Sequence, residues 1–208
     1  MTTSATETLL EQAQRSPHTG NEISGVLEVV HQRSVRFWNA FNTQAFLSPI
    51  GDAWSPSDNV RHLTKTMRAV TLGLRLPRVP LWLDAMRAPC ASRSYDEMRV
   101  AYVDALTPGV TAGPFTPSTQ APPSDPDAER TRIMAFHAIA VDGLRSRLAR
   151  WPESALDRRR LPHPLMGSIT VREMMLFVLY HNQHHVETVR RRVAELPASG
   201  SRSTGRRS

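Results

Sequence analysis

The chain has almost no cysteine, a single lysine and few aromatic residues. Cys90 is the one thiol in 208 residues, so there is no intrachain disulfide and no cysteine-built zinc site. It lies in Arg87-Ala88-Pro89-Cys90-Ala91 with no histidine beside it, so nothing local would activate it as a nucleophile. Lys65 is the only lysine among 26 basic residues, and aromatics are 6% of the chain. Basic side chains are not interleaved with aromatic ones, the arrangement that would read as a nucleic-acid surface. The longest uninterrupted apolar run is Met174 to Tyr180, far short of the roughly 20 residues that span a bilayer. Residues 1–20 are a polar leader without a basic-then-apolar signal pattern. These absences predict a cytoplasmic protein. There is no convincing strand alternation and no internal repeat.

What is present fits one globular domain over residues 21–197, with 40% hydrophobic and 22% charged residues. The formal net charge of +7 is concentrated at one end. Residues 190–208 hold six arginines and one glutamate. Residues 198–208 read as a disordered basic tail rich in Ser, Gly and Arg. A solvated tail explains the charge without a specific nucleic-acid partner.

Four long amphipathic helices are predicted. The first runs from Asn21 to about Thr43, with Ile23, Val26, Leu27, Val30, Phe37, Trp38 and Phe41 at spacings of three and four. Ser55-Pro56 opens the second, as N-cap and first helical residue, and Pro77 and Pro80 end it. Ser94-Tyr95-Asp96-Glu97 resembles a capping box and predicts a short extra helix near 95–106. A proline-rich loop follows from Thr107 to Asp125. Pro126 starts the third helix, whose face carries Ile133, His137, Ala140, Val141, Leu144, Leu148 and Trp151. Residues 161–168 read as a structured turn, with Gly167 available for a left-handed conformation. Thr170-Val171-Arg172-Glu173 is a second capping box, opening the fourth helix to about Glu195. The expected fold is all-α: a four-helix bundle with a short extra helix and a long proline-rich connection between the second and third long helices.

Three of the eight histidines fall in Tyr180-His181-Asn182-Gln183-His184-His185-Val186. His181 and His185 are four apart, which stacks them on one helix face about 6 Å apart. They sit mid-stripe among Val171, Met174, Val178 and Val189. Two buried neutral imidazoles each need a donor and an acceptor partner. A divalent metal removes that demand by taking one nitrogen from each. No glutamate follows the first histidine, so the metalloprotease helix motif is absent. His184 points about 100° from His185 and reads as a surface or supporting group. A third ligand would come from His62, His137 or His31. Periodicity alone favours His137, because His62 lies on the flank of its stripe. His163, between two prolines, reads as a turn residue, and His18 belongs to the leader.

Two stretches carry a family resemblance. One is Trp54-Ser55-Pro56-Ser57-Asp58-Asn59-Val60-Arg61-His62-Leu63. The other is His163-Pro164-Leu165-Met166-Gly167-Ser168-Ile169-Thr170, running into Tyr180–Val186. In that order they resemble the DinB/YfiT superfamily of small metal-binding four-helix bundles. The resemblance covers the bundle, but not the leader, the proline-rich middle or the tail.

The resemblance implies His62, His181 and His185 as metal ligands, with His137 left as a supporting residue or fourth ligand. Three neutral imidazoles suit zinc or nickel, and three protein ligands leave a position open for chemistry. It further implies a metal-dependent enzyme acting on a small molecule, foremost one transferring a low-molecular-weight thiol. Hydrolysis of a small amide or ester is the alternative within that class. A non-catalytic bundle binding metal or a partner, in a stress response, is the alternative outside it. A homodimer is an expectation for bundles of this size that no residue specifically supports.

Overall fold

The computed structural model describes residues 17–75, 91–107, 109 and 111–196. The leader up to residue 16, Pro77, Pro80, Cys90 and the basic tail lie outside the described residues. The long helices are α1 (Gly20–Asn39), α3 (Pro56–Gly73), α5 (Pro126–Leu148) and α7 (Val171–Glu195). Shorter helices are α2 (Thr43–Leu47), α4 (Tyr95–Ala105) and α6 (Glu153–Leu156), with a 3₁₀ turn at Gly113–Phe115. α1 and α3 each pack against both α5 and α7. The most extensive pairing, α3 with α5, joins successive long helices, and the next, α1 with α7, joins the first to the last.

Caps set most of the helix starts. Ser55, Ser94 and Thr170 each accept from the N3 backbone N–H, and Asp58, Glu97 and Glu173 reach back to the N-cap N–H. Asp125 caps α5 ahead of Pro126. Such a cap stabilises a helix by about 1 kcal/mol. The first helix is shorter than its periodicity predicts. It stops at Asn39, and Asn42 caps the separate helix α2 by accepting from Ala45 N–H. Arg130 Nη1 donates to the Phe41 carbonyl at 2.6 Å and holds the break. At the other end of α3, the helix closes at Gly73, ahead of the prolines expected to end it.

One element corrects the sequence expectation. Residues expected to hold only a turn form an antiparallel hairpin, β1 (Arg160–His163) with β2 (Gly167–Thr170). Each strand has four residues, too few to register as alternation, and Pro162 removes a ladder donor from β1. Gly167 turns the hairpin at φ +68°, in the left-handed region anticipated for it.

The core divides into two apolar clusters. The larger includes Leu27, Met67, Val141, Leu144 and Val171 to Leu179 of α7, apart from Arg172 and Glu173. The smaller holds Trp38, Phe46, Ile50, Val60, Leu63, Ile133 and Val189. Polar residues mark the junction on every long helix. They are His31 and Ser34 on α1, Thr64 on α3, His137 on α5, and His181, Asn182 and His185 on α7. Of these, Ser34, Thr64, His137, His181 and Asn182 are buried. The two histidine groups of the protein lie in this layer. No helix among the described residues is long and apolar enough to cross a membrane.

Candidate metal centre

His62, His181 and His185 come together, with one nitrogen from each lying within 4.8 Å of the others. The His181 Nε2 atom is 3.1 Å from His62 Nε2 and 3.1 Å from His185 Nε2. Three nitrogens around one ion at about 2.0–2.1 Å in tetrahedral geometry would lie roughly 3.3 Å apart. The two spacings from His181 are close to that.

The outer nitrogens fix which atoms carry protons. His62 Nδ1 lies 3.0 Å from the Phe115 carbonyl, which can only accept, so Nδ1 carries the hydrogen. His185 Nδ1 lies 2.7 Å from Asn59 Oδ1. The Asn59 amide donates its own N–H to the Ser55 carbonyl at 2.9 Å, so the atom facing His185 is the oxygen. His185 is therefore also protonated on Nδ1. Both Nε2 atoms then present lone pairs toward His181 Nε2. One proton on His181 can serve one of them at full strength, not both. This donor set fits a cation that accepts three lone pairs.

The rings are also neutral. Burial holds His62 below the ordinary imidazole range, against an opposing push from its bond to Phe115. Burial holds His181 and His185 well below it, reinforced for each by neighbouring histidines. Metal ligation requires this unprotonated form.

Local structure explains how His62, on the flank of its apolar stripe, reaches the cluster. α3 is buried over a wide arc because it packs on two helices. Val60, Leu63 and Met67 face the apolar core. His62, Thr66, Val70 and Gly73 share a second face that lines a cavity. The 3₁₀ turn of the proline-rich loop packs against this helix and delivers the Phe115 carbonyl. Trp54 completes the enclosure, stacked parallel to His185 at 6.4 Å and tilted against His62 at 5.3 Å.

His137, favoured by periodicity, is not in the cluster. Its Nδ1 lies 3.1 Å from Thr64 Oγ1. That hydroxyl donates to the Val60 carbonyl at 2.7 Å, so His137 Nδ1 must be the donor. His137 Nε2 is buried with no hydrogen-bond partner among the described residues, and the His31 ring lies 5.3 Å away. Burial, then His31, pushes the His137 pKa down to about 3. Neither His137 nor His31 joins the three-histidine group. His163 is the turn residue expected of it, with Nδ1 accepting from Leu165 and Met166 N–H at 3.2 Å each.

The cluster opens into a cavity of about 500 Å³, lined mainly by apolar and aromatic side chains. His163 and His184 both line it, so His184 reaches the candidate site although it is no ligand. The sequence reading missed Asn59, Tyr102, Phe115 and Phe177. Asn59 had a signal: a polar residue one turn before a candidate ligand. The Phe115 carbonyl had none, because a backbone acceptor carries no residue-type signature.

No curated protein matches the chain. Among solved structures it is similar to TT2238, a four-helix bundle protein, at 15% identity and a TM-score of 0.52, covering 83% of this chain and 99% of that one. That likeness bears on the fold alone. Residues 27–189 match the DinB superfamily. With most of its length matched, and with a helical bundle that brings three histidines together, the chain belongs to the DinB superfamily.

Proposed function

We propose that the protein is a metal-dependent enzyme in which His62, His181 and His185 hold a divalent cation, zinc or nickel, for transfer of a low-molecular-weight thiol. The observation that carries this reading is the approach of the His62 and His185 Nε2 atoms to His181 Nε2, with the outer nitrogens of His62 and His185 already committed. A divalent metal there supplies Lewis acidity that lowers the pKa of a thiol or of water.

The surrounding residues favour the thiol. Among the described residues lining the cavity there is no Asp, Glu, Lys or Arg, so no carboxylate stands by as general base. A thiol, with an ordinary pKa near 8.5, needs only a modest shift to ionise at neutral pH. Water needs a much larger one. Phe115 and Asn59 would hold the ligand rings in one tautomer and orientation. Phe177 stacks on His181 at 4.8 Å and Trp54 lies parallel to His185 at 6.4 Å, so aromatic rings flank the cluster. Hydrolysis of a small amide or ester is the second reading, because it needs only water at the same open position.

Metal analysis of the purified protein beside His62→Ala and His181→Ala tests the site. Bound metal in the wild type and its loss in both variants is expected. A wild type that binds no metal at pH 7.5 would sink both enzyme readings. Thiol consumption in the presence of an electrophile then tests the reaction, and turnover without any thiol would favour hydrolysis.

A further inference from the structure

Two side chains that line the cavity beside the three histidines carry hydrogen-bond donors with no acceptor among the described residues. His163 Nδ1 accepts two backbone N–H groups of its turn, from Leu165 and Met166. A neutral imidazole that accepts at Nδ1 carries its proton at Nε2. The His163 Nε2–H has no acceptor among the described residues. Tyr102 reaches the same cavity from α4, with its ring 6.1 Å from that of His163 and 5.9 Å from that of His181. Its hydroxyl also has no hydrogen-bond partner among the described residues.

The rest of the lining is apolar or aromatic, including Val70, Leu161, Met174 and Phe177. No charged side chain among the described residues lines it. A buried ion would find no counter-charge here, and its desolvation would go uncompensated. A neutral molecule with one acceptor atom would bury its apolar body and satisfy both donors.

We infer that the cavity binds an uncharged, largely apolar molecule through an acceptor oxygen, held by the Nε2–H of His163 and the hydroxyl of Tyr102. This makes His163 and Tyr102 positioning residues in the cavity next to the cluster. It rests on the proposed function only in treating this cavity as the substrate chamber. Binding itself needs no metal.

Three probes of one shape test it on the full chain: 2-acetylnaphthalene, 2-ethylnaphthalene and 2-naphthoate. Affinities are measured by fluorescence titration on metal-stripped protein and again with zinc. The ketone should bind about tenfold tighter than the ethyl compound, the worth of a good hydrogen bond in an apolar site. The carboxylate should bind weakest in stripped protein. Tyr102→Phe and His163→Asn should each reduce the ketone preference and leave 2-ethylnaphthalene unchanged. Asparagine keeps an acceptor for the turn and loses the Nε2–H. If His163→Asn does not fold, Tyr102→Phe still carries the test.

Equal binding of ketone and ethyl compound by the wild type overturns the inference. So does a preference that persists in Tyr102→Phe and His163→Asn together, which would point to His181 as the donor. Tight 2-naphthoate binding to stripped protein overturns the neutral-ligand part. A protein that binds the ketone but never zinc would defeat the metal reading and leave this one standing. A protein that binds zinc but shows no ketone preference would do the reverse.

Discussion

Two histidine groups share the polar layer of the bundle, and they differ in what holds their second nitrogen. In the cluster of His62, His181 and His185, backbone and amide oxygens take the outer N–H of two rings and turn the lone pairs inward. In the pair of His31 and His137, the Thr64 hydroxyl takes one N–H and leaves His137 Nε2 facing the interior alone. The first group opens on a cavity. The second does not line that cavity, and His137 is buried with its Nδ1 bonded to Thr64 of α3. Residue type and burial are alike, so the committed partner and the open side separate a candidate centre from a structural pair.

The largest expected difference is in metal binding. His181→Ala should lower zinc affinity more than 100-fold, since it removes the central ligand; His137→Ala should leave zinc stoichiometry at the wild-type value. Calorimetric titration of both variants measures this. Loss of zinc in His137→Ala with retention in His181→Ala would reverse the comparison.

Acid stability comes next. The His137 pKa is pushed down to about 3, so the unfolded chain takes up a proton near pH 6.5 that the folded chain refuses. Stability is then fully present above pH 6.5 and is lost as pH falls toward 3, at about 1.4 kcal/mol per pH unit for this group. His137→Leu should flatten the slope between pH 4 and 6 by about that amount in denaturant titrations, with zinc binding unchanged. An unaltered slope would mean that His137 does not refuse the proton.

The partners should separate in the same way at smaller scale. Asn59→Ala frees His185 Nδ1, and loss of such a supporting contact weakens metal binding by about 10–100-fold. Its effect on the metal-free melting temperature should be slight by comparison. Thr64→Val strands the His137 N–H and should destabilise the fold by about 1 kcal/mol, leaving zinc affinity intact. If Thr64→Val weakened zinc binding as much as Asn59→Ala, the two groups would be coupled rather than separate.

Much of this architecture was legible beforehand because it depends on local chemistry. Ser55, Ser94 and Thr170 mark helix starts, since a side-chain oxygen three residues before an N–H acts without tertiary help. The pairing of His181 with His185 follows from helical pitch. The hairpin at 160–170 was not legible, because four-residue strands containing Pro162 carry no period of two. Placing His62 with the pair took the family resemblance. A stripe analysis assumes one buried face, and α3 has two.

The residues alone specified four amphipathic helices, the caps of the second and fourth, and a histidine pair on the inner face of the last. These are properties of spacing along one chain segment. Tertiary packing settles that His62 rather than His137 closes the triangle. It also decided that Asn59 and a carbonyl from the proline-rich loop orient the rings, and that the triangle opens on an apolar chamber. Those outcomes depend on how α3 is rotated between α5 and α7, which packing sets and no single segment encodes.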